Sequence, residues 1–94
     1  RLLDDVSRQE RERQKTKRSL EKQVEKLEER IAGLEEKKKQ LEINLSNPQI
    51  YHDGQKSRHY NREYQEVEHF LAEAYEDWVG INEQLQKYIA AKNY

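Results

Sequence analysis

The sequence contains no cysteine and no methionine, a single proline, and three glycines that stand apart from one another. Without cysteine, disulfide bonds and thiolate metal ligands are excluded. Isolated glycines exclude the glycine-rich loops that bind nucleotide phosphates. No apolar run approaches the roughly 20 residues of a membrane-spanning helix, and no signal peptide opens the chain. We therefore expect a soluble protein of the cytoplasm without membrane contact.

Charged residues dominate what the sequence does contain. They make up 39% of the 94 residues, whereas the hydrophobic set makes up 33%. So few apolar residues cannot fill the core of an ordinary globular domain, and the chain must be either disordered or helical with a narrow apolar seam. Because the chain starts with Arg1 and lacks methionine, we expect it to be a piece of a longer protein.

Apolar residues recur every three or four positions in two segments, which is the heptad spacing of a coiled coil. The seam positions of the first segment are Leu20, Val24, Leu27, Ile31, Leu34, Lys38, Leu41 and Leu45. Those of the second segment are Tyr60, Tyr64, Val67, Leu71, Ala74, Trp78, Ile81, Leu85 and Tyr88. Lys38 interrupts the apolar pattern, and its expected role is to disfavour other registers at some loss of stability.

A short break that contains Pro48 separates the two segments. Proline cannot continue a helix, because it lacks an N–H and its ring clashes with the preceding turn. Asn47 suits the cap of a short helical turn, and Asp53 suits the cap of the second long helix. One short break between two heptad segments predicts a hairpin.

The seam also predicts the register of this hairpin. Residues that face each other in antiparallel helices have numbers with a constant sum. The residue numbers of Leu45 and Tyr60, at one end of the seam, have the same sum as those of Leu20 and Leu85 at the other. Each pair sets an a position against a d position, as antiparallel packing requires.

We therefore predict an all-α fold, an antiparallel two-helix coiled-coil hairpin over residues 17–94. Its first helix is expected at about 8–46, its turn at about 47–54 and its second helix at about 55–92. Residues 1–16 lack apolar partners in the hairpin, so we expect them to lead in from a preceding domain as helix or linker.

Motifs for catalysis are nearly absent, and we predict no catalytic residue, no metal site and no enzyme activity for this chain. Glu66 and His69 have the Glu-x-x-His spacing of di-iron sites. Such sites need both side chains inside a helix bundle, whereas these two flank the seam on its outward side. We interpret His52, Asp53 and His59, near the turn, as solvated residues.

Five basic residues recur at steps of three and four in the first helix. They form the basic stripe: Arg8, Arg11, Lys15, Arg18 and Lys22. On a helix they share one outward face over about 21 Å, with roughly one cation per turn. This spacing is comparable to that of successive phosphates on a nucleic-acid strand. The stripe therefore indicates phosphate binding, and a solvated face balanced by nearby glutamates is the alternative.

Three further cations follow the turn. They are the turn cations: Lys56, Arg58 and Arg62. Together with Tyr51, His52 and His59 they suit phosphate contact combined with base stacking. For Ile50 and Tyr51 we favour a packed turn, in which both cover the end of the seam. We predict that the basic stripe binds nucleic acid with help from the turn cations.

The second helix has the opposite charge. Residues 63–94 carry seven carboxylates against two lysines. This acidic surface repels phosphates, so nucleic acid is expected on one side of the hairpin only.

Two elements of the sequence resemble the C-terminal domain of the ABC-F ATPases. The first heptad segment ends in Leu-Ser-Asn-Pro-Gln-Ile-Tyr, residues 45–51, where that family typically has Leu-x-Asp/Asn-Pro-Glu-x-Tyr. The second element is Ala-Tyr-Glu-Asp-Trp, residues 74–78, which places a tryptophan late in the second helix. The similarity covers about residues 18–86. The chain departs from the family pattern at Gln49, where glutamate is common, and in its acidic second helix.

This resemblance implies two tandem ATP-binding domains, no membrane domain, and a C-terminal hairpin that binds nucleic acid. Members of the family act at the ribosome in translation or antibiotic protection, and some are linked to DNA metabolism. ATP and magnesium are then cofactors of the full-length protein, and none is expected in this chain.

The predicted function is thus a nucleic-acid-binding appendage of a cytoplasmic ABC-F ATPase, with DNA, ribosomal RNA or transfer RNA as the partner. The alternative is a structural or protein-interaction arm that packs on its own ATPase domains or self-associates. In that case Phe70 and Tyr75, which flank the seam, would supply an apolar contact. We expect a monomer rather than a dimer.

Overall fold

Two long helices and one short helical turn make up the fold. The computed structural model describes the backbone of residues 1–92 and the side chains up to residue 89. The helices are α1 (Leu2–Leu45), α2 (Pro48–Tyr51) and α3 (Gly54–Lys92). The predicted all-α hairpin is confirmed, because α1 and α3 pack along each other in a rod of 74 × 18 × 14 Å. Residues 93 and 94 of the expected hairpin lie outside the described residues.

The first helix begins at Leu2, well before the expected start near residue 8. Its early turns contain no glycine or proline, so nothing in the sequence breaks the helix there. Asp4 and Asp5 lie in the first turn, where carboxylates interact favourably with the helix dipole. The stretch expected as helix or linker is therefore helical from Leu2 onward. That it leads in from a preceding domain stays a prediction.

Two side-chain caps shape the connection between the long helices. The Oδ1 atom of Asn47 accepts a hydrogen bond from the N–H of Gln49 at 3.0 Å, which starts α2. The Oδ1 atom of Asp53 accepts from the N–H groups of Gln55 and Lys56 at 3.1 and 3.2 Å, which starts α3. Both caps predicted from the sequence are confirmed.

The apolar seam forms the core between α1 and α3. Its buried members are Leu20, Ile31, Leu41, Val67, Leu71 and Ala74. The remaining apolar seam residues are half-buried, because a residue between only two helices has a neighbour on one side alone. Burial is continuous in the half of the rod nearer the turn, where Leu34, Tyr60, Tyr64 and Trp78 pack against the buried cluster.

Contacts across the seam agree with the predicted register. Tyr64, expected opposite Leu41, donates a hydrogen bond from its hydroxyl to the Oε1 atom of the adjacent Glu42 at 3.1 Å. Lys38, expected opposite Val67, is half-buried, and its Nζ atom lies 5.8 Å from the centroid of the Tyr64 ring. The lysine thus packs its stem in the seam while its ammonium lies over an aromatic face.

The helices of the described residues are rich in charged side chains. None of them combines the length and the apolar character that crossing a membrane requires.

Candidate nucleic-acid interface

The basic stripe lies on the outward face of α1. Its five members occupy the helical positions opposite the seam, and all five side chains are exposed. Because α1 is continuous from Leu2 to Leu45, the helix holds these cations in one row without a break. A single elongated partner can therefore meet all five at once.

Two other cations of the same region make contacts within the protein, Arg13 with α3 and Lys17 within α1. The Nη2 atom of Arg13 donates a hydrogen bond to the carbonyl oxygen of Tyr88 at 3.0 Å. Lys17 has a side chain that is only 27% exposed, and its Nζ atom lies 4.0 Å from a carboxylate oxygen of Glu21. The cations in this part of α1 therefore do not all face outward.

One member of the basic stripe has a carboxylate close by. The Nη2 atom of Arg8 lies 3.7 Å from the Oδ1 atom of Asp5, and both side chains are well exposed. An exposed ion pair of this kind contributes about 0–1 kcal/mol, so a phosphate can replace the carboxylate at little loss.

Lys26 adjoins the basic stripe, although the stripe predicted from the sequence ends at Lys22. A surface depression of about 410 Å³ runs along this part of α1. It is lined by Lys15, Arg18, Ser19, Lys22, Gln23 and Lys26. Lys26 follows Lys22 by four residues, which places the two on the same side of the helix. This spacing could have identified Lys26 as a further member of the stripe from the sequence. The acidic Glu25 directly before it made the stripe look as if it ended at Lys22.

The turn cations lie at the opposite end of the rod from the basic stripe. All three are exposed, as expected. From Lys22, the stripe member nearest the turn, to Leu45 at the end of α1 the rise is about 35 Å, at 1.5 Å per residue. The structure therefore does not bring the two groups into one site, and each must meet its own part of a partner.

At the turn, the interpretation of a packed turn is correct for Ile50 and wrong for Tyr51. Ile50 is half-buried and lines a depression together with Tyr60, whereas Tyr51 is 50% exposed. Neighbouring residues on a helix point about 100° apart. The single turn of α2 therefore directs only one of the two against the seam.

The flank of the hairpin between α1 and α3 carries tyrosine hydroxyls bound to glutamates. Tyr75 donates to the Oε1 atom of Glu35 at 3.0 Å, and this hydrogen bond, with partial desolvation, raises the pKa of Tyr75. Desolvation and the bond to Glu42 raise the pKa of Tyr64. Phe70 remains partly exposed but lies 6.0 Å below the guanidinium carbon of Arg30.

Glu66 and His69 are both exposed, and the Nε2 atom of His69 lies 3.0 Å from a carboxylate oxygen of Glu73. Within residues 1–92, no three potential metal ligands converge. The three glycines lie singly on the long helices, so these residues do not fit the phosphates of ATP.

Comparison with known protein families gives one finding. Residues 15–88 match the family model described as "ABC transporter C-terminal domain". The matched range includes most of the basic stripe, the turn and the whole buried seam. No significant match is found among curated proteins or among solved structures.

Proposed function

The chain belongs to the ABC transporter C-terminal domain family, and from this premise we propose that it is the nucleic-acid-binding appendage of an ABC-type ATPase. Within that class we propose the ABC-F type, which acts in the cytoplasm at the ribosome or on DNA. The observation that supports this function most directly is the row of five exposed cations on the outward face of α1.

The dimensions of the basic stripe favour a polyanion as its partner. Five cations over about 21 Å of helix give one positive charge every turn or so. A nucleic-acid backbone presents phosphates at a comparable interval and gains entropy when cations replace its counterions. A compact acidic protein would have to supply carboxylates in the same linear arrangement.

The charge of the rest of the hairpin orients this partner. The acidic residues of α3 and the glutamates that bind Tyr64 and Tyr75 lie away from the basic stripe. Away from the turn cations, phosphates are attracted to the basic stripe and repelled by the acidic residues of α3. Nucleic acid therefore lies along α1 rather than around the hairpin.

In this proposal the chain binds and does not catalyse. ATP and magnesium act in the ATP-binding domains of the full-length protein, and the hairpin is a monomer attached to them. Movement of those domains during ATP turnover would then reposition whatever nucleic acid the basic stripe holds.

A structural arm is the second candidate function. The partly exposed Phe70, Tyr75 and Val79 on α3 offer apolar area to another protein surface. An arm of this kind would pack on its own ATPase domains or on another copy. Its binding would respond weakly to salt, because apolar contact does not depend on counterion release.

The test is a titration of labelled duplex DNA and of structured RNA by fluorescence anisotropy, at low and at moderate salt. One variant combines Arg11→Glu, Lys15→Glu and Arg18→Glu. A control variant combines Lys37→Glu, Lys39→Glu and Lys87→Glu, which changes the net charge equally but lies outside the basic stripe. Circular dichroism checks that both variants keep the helical content of the parent chain.

We expect saturable binding that weakens with salt, survives in the control variant and is lost in the stripe variant. Equal loss in both variants would mean that net charge alone attracts nucleic acid. No binding by the parent chain at low salt would favour the structural arm.

A further inference from the structure

Tyr51 stands at the tip of the hairpin with half of its surface exposed. Its ring centroid lies 4.5 Å from that of His52, and the two planes are tilted by 55°. His52 is exposed as well. The neighbouring ring supports one side of the tyrosine and leaves the rest of its aromatic surface open to a partner.

The tip that carries this ring has a positive charge. Between Ser46 and Arg62 the sequence contains the three turn cations and a single carboxylate, Asp53. That carboxylate is engaged with the first N–H groups of α3. Arg58 reaches back over the start of α3. Its Nη1 atom lies 3.6 Å from the position that a Cβ atom would occupy at Gly54.

The shape of the tip limits which bases it can reach. The rod measures 18 × 14 Å in cross-section, and the major groove of B-DNA is roughly 12 Å wide. The minor groove is narrower still, and the major groove of an RNA helix is deep and narrow. Both extents describe the whole rod and exceed the width of the major groove, so an unpaired base reaches the Tyr51 ring more readily than a base inside a double helix.

We propose that the tip of the hairpin binds unpaired nucleotides, with the Tyr51 ring stacked on a base and the turn cations on the flanking phosphates. This inference rests on the proposed function and adds a substrate class to it. The basic stripe follows a backbone whether or not it is paired, and the tip selects a loop, bulge or single-stranded end. Stacking on an aromatic side chain tolerates any base, so the selection is for an open structure rather than for a sequence.

The test compares two RNA ligands with the same paired stem. One has an unpaired loop in which a base is replaced by 2-aminopurine, and the other is a blunt duplex. The chain is used unchanged, with Tyr51→Ala, with Tyr51→Phe, and with the stripe variant described above. Because Tyr51 is exposed, neither substitution removes a core contact, and circular dichroism confirms the helical content.

We expect Tyr51→Ala to weaken binding of the looped RNA by about 5- to 150-fold, the range for loss of one stacked base. Binding of the blunt duplex should change less than about twofold, and Tyr51→Phe should bind both ligands as the parent does. The parent chain should quench 2-aminopurine fluorescence, and Tyr51→Ala should not.

Other outcomes distinguish failure of the proposed tip site from failure of the proposed nucleic-acid binding. If the stripe variant loses the duplex while Tyr51→Ala binds the looped RNA normally, nucleic-acid binding stands and the tip site is wrong. If Tyr51→Ala weakens both ligands equally, the selection for unpaired bases is wrong. If the parent chain binds neither ligand at low salt, both proposals fail.

Discussion

Arg13 donates a hydrogen bond to the carbonyl oxygen of Tyr88 at 3.0 Å, across 75 residues of sequence. Its guanidinium carbon also lies 5.8 Å from the centroid of the Tyr88 ring. One side chain therefore joins α1 to α3 by two interactions at the end of the rod that has no covalent turn. The hairpin is closed by its connection at one end and by this arginine at the other.

Replacement of Arg13 by alanine should destabilise the open end of the hairpin. A hydrogen bond from a charged donor and an exposed cation–π contact together contribute about 2–4 kcal/mol. We expect the free energy of unfolding to fall by about that amount in urea titrations followed by circular dichroism. Arg11→Ala removes an exposed arginine two residues away and should change stability by less than about 0.5 kcal/mol. Equal effects of the two substitutions would contradict a stabilising role for the contact between Arg13 and Tyr88.

Leu41 and Ile43 provide a test of the seam. Leu41 is 3% exposed and Ile43, on the outward face of the same helix, is 53% exposed. Leu41→Ala should lower the free energy of unfolding by about 2–5 kcal/mol, because it leaves a cavity opposite Tyr64. Ile43→Ala should lie within about 0.5 kcal/mol of the parent. The fluorescence of Trp78, which packs against the same core, reports the unfolding.

Lys38 is expected to restrict the hairpin to one register and one chain. Lys38→Leu should raise the free energy of unfolding by about 1–2 kcal/mol, since an apolar side chain then fills the seam opposite Val67. The same substitution removes the polar group that disfavours other assemblies. Sedimentation equilibrium should therefore detect stronger association of the variant than of the parent chain. A more stable variant with the molecular mass of the parent would show that the association state does not depend on this lysine.

Alkaline pH should weaken the flank formed by Tyr64 and Tyr75. The pKa of each phenol is raised in the folded chain, so folding favours the protonated form. The stabilisation is complete below the phenol pKa of the unfolded chain, near 10, and is lost as pH rises through the higher folded value. Ultraviolet titration of the parent should show phenols that ionise late. Tyr64→Phe and Tyr75→Phe should each remove one of the phenols that ionise at raised pH. If either variant kept both of these phenols, the raised pKa would not belong to the tyrosine that was replaced.

Binding of duplex DNA through the basic stripe should depend steeply on salt. If five cations each neutralise a phosphate, the logarithm of the binding constant falls with the logarithm of salt concentration with a slope of about −4.5. Lys15→Ala should reduce the magnitude of that slope by about 1. Lys39→Ala, also exposed on α1 but outside the basic stripe, should leave it unchanged. A slope near zero in the parent chain would favour an apolar contact.

Much of the fold followed from the sequence because its determinants are local or periodic. The heptad spacing sets which residues of each helix form the seam, and an antiparallel pair then has few possible registers. Asn47, Pro48 and Asp53 end and start helices through their own backbone chemistry, so the turn was predictable from these residues alone. The outward row of the basic stripe followed from helical spacing in the same way.

The tertiary structure decided what spacing cannot express. Whether a cation near the seam faces solvent or the partner helix depends on side-chain direction and on groups far away in sequence, which is why Arg13 binds Tyr88. The outward position of Tyr51 depends on how one turn of helix is oriented over the end of the seam. The separation of about 35 Å between Lys22, the last member of the basic stripe, and the end of α1 at the turn follows from the length of α1.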